Sequence, residues 1–294
     1  MSHRVLYGIA VVAILGCAAG GVYWERVRNE GAIRGAAQPP EPERPSAAPA
    51  LVSAAPSNTD VPAMARKEAI EAEAGLPLRS GEVLEYTANV ASLTNVASLK
   101  LQVREHRSFF GKNAWHLQAF AHTENPLRMV FTLDDQFDSY SDASTMASLQ
   151  YEMHLNERGQ KVESVQRMTS TGKEPAPPNV TEARVLPGTR DPLGLLQYLR
   201  NVDWTRTTEV RCPVYDGHAL YEIEAKVAGP DEVVSVPAGS YKATKIGIQV
   251  FQNRQEMKDA HFTLDIASGA GHTPLLLEAV MPVATARVEL MRAR

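Results

Sequence analysis

Asp134, Asp135, Asp138 and Asp142 gather around Phe137 and Tyr140, and form the strongest polar cluster in the chain. Converging carboxylates can bind calcium, which takes six to eight hard oxygen ligands. This run lacks the loop glycine and the closing bidentate glutamate of a dedicated calcium loop, so it reads as a solvated strand and turn. His116, His122 and His154 fall on the polar faces of expected strands. Histidines two strands apart could meet over a metal, but nothing in the sequence fixes their register, and surface positions are the default. No His-Glu-x-x-His helix, Gly-x-Ser-x-Gly elbow or phosphate-binding glycine loop occurs. No catalytic or metal-binding residue is therefore assigned, and no cofactor is expected.

Thiol chemistry is equally sparse. Of the two cysteines, Cys17 lies in an apolar N-terminal stretch and Cys212 is alone in the remainder. An intradomain disulfide and a cysteine-based zinc site are both excluded. Val210, Cys212 and Val214 alternate with Glu209 and Arg211, which points Cys212 into a core as a small hydrophobe.

The elements that would have to position any site are strands. From Leu76 onward apolar residues recur at period two, the signal of a half-buried strand. Leu84, Tyr86, Ala88 and Val90 share a face, as do Leu99, Leu101 and Val103, and Trp115, Leu117, Ala119 and Ala121. Met129, Phe131 and Leu133 continue the series, followed by Leu149, Tyr151, Met153 and Leu155. Tyr221, Ile223, Ala225 and Val227 repeat it, then Ile246, Ile248 and Val250 after a Pro-Ala-Gly turn, and two strands near 274–281 and 283–292 end the series. One helix interrupts, with Asp191 as N-cap, Pro192 in the first turn and Leu195, Leu196 and Leu199 on one face. Residues 171–190, rich in proline and glycine, read as a long loop before it. Clean alternation indicates antiparallel pairing. The expectation is an all-β domain: a strongly curved antiparallel sheet or half-open β-barrel, with one notable helix at about 191–202.

Such a sheet has an apolar side that could hold a ligand. Without a covering second sheet, Leu84, Tyr86, Trp115, Leu117, Tyr151 and Met153 would line a concave apolar pocket. The competing expectation is that they are simply the core, packed by the helix and loops.

Residues 5–24 carry no charge and are long enough for an apolar helix to cross a bilayer core of roughly 30 Å. Three readings compete: a retained transmembrane anchor, a cleaved signal peptide, or a lipobox at 14–17 that would make Cys17 a lipidation site. Arg26, Arg28 and Arg34 after the segment argue on charge alone against an exported C-terminus. Residues 25–75 follow as a Pro/Ala-rich linker with a short helix after Asp60, and residues 76–294 form the β-rich domain. Taking the seven basic and eight acidic residues before Leu76 from totals of 30 and 34 leaves 23 and 26, a net of −3 for that domain. No basic face for nucleic acid is implied.

With the strands in hand, the domain from about residue 76 to 290 resembles the bacterial domain-of-unknown-function family 3108 (DUF3108). Gly81-Glu82-Val83-Leu84-Glu85-Tyr86 is similar to its opening Gly-Glu-x-Leu-x-Tyr strand. The run from Asp191 to Leu199-Arg200 is similar to its Asp-capped helix ending in Leu-Arg. Val236-Pro237-Ala238-Gly239-Ser240-Tyr241-Lys242-Ala243 is similar to its Pro-x-Gly-x-aromatic-x-Ala hairpin. Asp265 and Pro274 stand farther apart than the family's Asp…Pro pair, and Phe262 stands where a tryptophan is usual. The resemblance implies export, which sets the topology against the charge count, and carries no functional residue.

Together these readings anticipate a non-enzymatic protein of the cell envelope, its domain periplasmic and either anchored to the inner membrane or released after cleavage. Its partners would be the membrane, through the N-terminal segment, and a lipid-like ligand or an envelope protein on the curved sheet. A structural component acting through its outer surface is the alternative, and a hydrolase using Asp134–Asp142 ranks third.

Overall fold

Alternation becomes strand over most of the domain. The computed structural model describes residues 78–169, 179–229, 231–258, 261–282 and 284–294. The apolar segment 5–24, Cys17, the linker and the expected helix after Asp60 lie outside these residues. Among the described residues no helix is long and apolar enough to cross a membrane.

The strands are β1 (Val83–Val90), β2 (Leu93–Phe109), β3 (Lys112–Thr123), β4 (Asp134–Asp142), β5 (Ser148–Glu157), β6 (Gln160–Thr169) and β7 (Thr181–Arg184), then helix α1 (Pro192–Asn201). After it come β8 (Glu209–Tyr215), β9 (Leu220–Val227), β10 (Glu232–Val236), β11 (Gly239–Gln252), β12 (Gln255–Glu256), β13 (His261–Ala267), β14 (Pro274–Val280) and β15 (Thr285–Ala293). They form one sheet in the order β7-β6-β5-β4-β3-β2-β1-β15-β14-β13-β11-β9-β8, with β10 and β12 also paired to β11. All of these pairings are antiparallel except β6 with β7.

The sheet is open, yet one backbone segment ties its two ends. Ser148 N donates to Thr189 O (2.9 Å), Arg190 N to Pro213 O (3.0 Å) and Tyr215 N to Arg190 O (2.8 Å), so residues 189–190 bridge β5 and β8. Gln166 Nε2 on β6 donates to Gly217 O in the β8–β9 turn at 2.8 Å. Gly217 has φ +100°, and a Cβ there would lie 2.4 Å from Met153 Cε on β5. That φ favours glycine, whereas the Met153 side-chain end could move aside.

Period two sets the core. Leu84, Tyr86, Leu99, Leu101, Leu117, Ala119, Phe137, Tyr151 and Met153 point inward and pack as one apolar cluster that also takes in Leu275, Val288 and Leu290. Burial of each large apolar side chain contributes about 1.5–3 kcal/mol. A second cluster joins Leu195 and Leu199 of α1 to Cys212, Val214, Ile223, Ile246 and Leu264. Cys212 is buried, as its alternation requires.

Two stretches depart from the pattern read in the sequence. Residues 127–133 are not a strand: Leu127–Met129 is a 3-10 turn, and Met129 is 82% exposed. Leu127 and Phe131 anchor that turn in the core while Met129 faces solvent, which satisfies the apolar spacing without strand geometry. The expected loop 171–190 contains β7, whose short Thr-Glu-Ala-Arg sequence has no run of apolar residues to mark it. Its pairing with β6 is made by backbone, and Ala183 alone of the four is buried.

Candidate functional site

The four aspartates lie on or at the end of β4, where period two sends them to opposite faces. Asp134, Asp138 and Asp142 share the outer face and Asp135 points in, so they do not converge on one point. Two are also far from solvated: Asp135 is 2% and Asp138 4% exposed. Cross-strand neighbours in β3 and β5 stand over them, a burial the run itself gives no sign of. Asp134 instead forms a paired ion contact with Arg128, Nη1 to Oδ1 and Nη2 to Oδ2 both at 2.9 Å, and meets His122 Nδ1 at 2.5 Å. The Arg128 hydrogen bond holds its carboxyl below the usual range, against a small opposing effect of burial. Asp142 Oδ1 accepts from Ser144 and Thr145 in the following turn.

Asp135 is different. Burial pushes its pKa up to about 7, partly offset by the Asn156 N–H that donates to Oδ1 at 2.8 Å, with the charges of Glu157 and Asp134 adding to the rise. Its Oδ2 is buried without a hydrogen-bond partner. A carboxyl of that pKa suits proton transfer, but Asp135 borders neither cavity described below.

The histidines take three separate partners. His116 Nε2 lies 2.7 Å from Asp138 Oδ1, His122 sits with Asp134, and His154 contacts Glu163. They do not meet one another over a metal. Asp138, Glu152 and His154 do place one ligand atom each within 4.8 Å of one another, a spacing a divalent ion could use. Both Asp138 oxygens, however, already accept hydrogen bonds, from His116 and Gln118 on one side and Gln136 on the other.

Of the six residues expected to line an apolar concavity, Leu84, Tyr86, Leu117, Tyr151 and Met153 are buried in the core. Trp115 is half-buried at its margin, stacked on His106 with ring centroids 4.7 Å apart. Tyr86 borders a space of about 40 Å³ under α1, shared with Leu99, Leu101, Leu193 and Leu196. That volume holds a water or two and no lipid.

A polar lock fixes α1 against the sheet, built by two of the family-like motifs, the opening strand and the Asp-capped helix. Asp191, the α1 N-cap, accepts from Gly194 N (2.8 Å) and from Ser139 and Ser148 hydroxyls (2.5 Å each). Burial pushes its pKa up, and these donors pull it back. Gly194 is needed because a Cβ there would sit 2.9 Å from Met146 O. At the other end of the helix, the fully buried Arg200 guanidinium binds Glu82 through both Nη atoms (2.8 and 2.9 Å), Gln197 Oε1 (2.8 Å), and the backbone oxygens of Gly271 and His272. The buried ion pair depends on bringing together residues 118 apart in the chain. Tyr86 OH donates to Pro274 O at 2.9 Å, tying the opening strand to β14.

A second space, which the sequence did not point to, lies on the outside where the β2–β3 hairpin tip meets the end of β6. This recess of about 220 Å³ is bordered by Phe109, Phe110, Lys112, Arg167, Leu186 and Gly188, among others. Phe109 stacks on Tyr140 at 4.1 Å and edges against Phe110 at 4.4 Å, holding the tip over the outer face. Phe110 and Leu186 are exposed apolar groups on its rim. Arg167 is 8% exposed and lies under the Phe110 ring, 3.6 Å from its centroid. The aromatic tip at 109–110 is its trace in the sequence, but the approach of Arg167 is set by the fold.

The class so defined is an all-β, one-helix domain whose open sheet is closed over a helix by a buried polar lock. The chain belongs to the family described as "Protein of unknown function (DUF3108)", which it matches over residues 85–291. No curated protein matches the sequence. Among solved structures it is similar to a β-barrel-like protein of domain of unknown function DUF1849 from Brucella abortus, with TM-score 0.47 and 10% identity over 73% of this chain and 97% of that one. It is also similar to a candidate lipoprotein from Parabacteroides distasonis, with TM-score 0.36 and 11% identity over 74% and 97% of the two chains.

Proposed function

We propose that this is a non-enzymatic binding protein of the cell envelope, and that it binds its ligand in the outer recess between the β2–β3 tip and β6. One observation carries the reading: the space under α1 is about 40 Å³, whereas the recess offers about 220 Å³ beside exposed apolar residues. Small-molecule sites combine apolar walls with fixed polar groups, and the recess sets Phe110 and Leu186 beside Lys112, Arg167 and Glu182. The uncharged segment 5–24 and the family resemblance support export and a membrane-proximal position. Against an enzyme stands the use of the strongest polar residues, Asp191 and Arg200, in hydrogen bonds that hold α1.

The test is native mass spectrometry, with solvent extraction, on the full chain purified gently from the envelope fraction, beside a Phe110→Ala variant. A stoichiometric small molecule retained by the parent chain and lost from the variant is expected. A chain that is empty, or a ligand retained equally by both, would refute the recess as the site and favour a structural role through the outer surface.

A further inference from the structure

The recess holds a charged side chain that is almost fully buried, Arg167. Arg167 has five N–H donors and makes no hydrogen bond or ion pair with any described residue; its Nε is buried without a partner. It is held instead by the Phe110 ring, a cation–π contact that fixes the guanidinium plane and leaves its in-plane donors uncommitted. Gln150, its cross-strand neighbour, leaves Oε1 unpartnered because its amide donates to Glu152. One donor of Arg167 could turn to that oxygen, and four would remain. Lys112 adds a second positive charge to the lining and Glu182 a single negative one. Among the described residues no carboxylate lies within ion-pair distance of this nearly buried guanidinium, Glu182 beside it on β7 included, so it lacks the partner that normally offsets its desolvation.

Resting on the recess as the binding site, we infer that it takes an oxyanion, a carboxylate or phosphate ester, carried on an apolar body. The guanidinium fork pairs two oxygens of such a group, while Phe109, Phe110 and Leu186 cover the attached carbons. Size agrees: a cavity of roughly 150 Å³ accepts a benzene ring, so about 220 Å³ accommodates a headgroup and several carbons. A longer chain would leave over the exposed rim.

The experiment is a saturation-transfer NMR titration of the full chain in neutral phosphatidylcholine nanodiscs with hexanoate, hexyl phosphate and hexanol. Hexanoate or hexyl phosphate is expected to bind about tenfold to a hundredfold more tightly than hexanol. Arg167→Gln should remove that preference, and Phe110→Ala should weaken all three ligands. Should Arg167→Gln not fold, Arg167→Lys decides: it keeps the charge without the fork, and a several-fold weaker preference is expected. Hexanol bound as well as hexanoate, or a preference unchanged in the Arg167 variants, would overturn the anionic class while leaving the recess as a site. Inorganic phosphate binding as tightly as hexyl phosphate would overturn the apolar body. If none of the three binds, the recess reading falls with the inference.

Discussion

Stability should fall as pH rises through neutrality, and Asp135 is the reason. Its carboxyl is 2% exposed, with one oxygen held by Asn156 N–H and the other unpartnered. Burial places its folded pKa at about 7, against an ordinary value of 3.8. A raised carboxyl is neutral in the folded chain and ionised in the unfolded one, so the penalty begins above the unfolded value and grows until pH passes the folded one. At about 1.4 kcal/mol per pKa unit the full penalty approaches roughly 4 kcal/mol, of which about 2.5 kcal/mol accrues between pH 5 and 8. Urea denaturation at both pH values, on the parent chain and Asp135→Asn, isolates the group because the asparagine does not titrate. The parent should lose about 2.5 kcal/mol more than the variant over that range. Parallel pH profiles for the two proteins would refute a neutral, buried Asp135.

Gly194→Ala should destabilise although alanine favours a helix over glycine by about 1 kcal/mol, because its Cβ would press on Met146 O at 2.9 Å; overpacking of this kind costs about 1–3 kcal/mol, and a raised melting temperature would contradict the close approach. Arg200→Met leaves Glu82 and two backbone oxygens facing the lost cation, and should cost about 3–5 kcal/mol by urea denaturation; a loss below about 1 kcal/mol would show that the lock does not hold the helix. In a Cys17→Ser background, Cys212 should resist a thiol reagent at pH 8 until denaturant is added, since burial pushes its thiol pKa up; prompt labelling of the native chain would place it at the surface.

Period-two alternation made most of the sheet legible, because antiparallel strands with one wet face must alternate. The helix was legible from Asp191 and Pro192, whose roles are local. What stayed hidden depends on distance in the chain. Arg200 reads as a surface cation until Glu82 is brought beside it, and Asp135 reads as solvated until β3 and β5 cover it. Alternation identified Leu84, Leu117 and Tyr151 as facing one side but could not say how completely α1 fills that side. The recess was illegible for the same reason, since Phe110 and Arg167 belong to separate hairpins.

The strand order carries a kinetic consequence. β15 is the last strand in the chain and sits at the middle of the sheet, between β1 and β14. The first seven strands and the block from β8 to β14 therefore cannot form one continuous sheet until it pairs, even with residues 189–190 bridging β5 and β8. Pairing Leu84 with Ala293 closes a loop of some two hundred residues, and contacts of such span slow folding because loop entropy precedes their reward. Before that strand arrives, β1 and β14 present raw edges able to pair with other chains. Completion of the sheet thus waits on β15 finding its register against both neighbours at once.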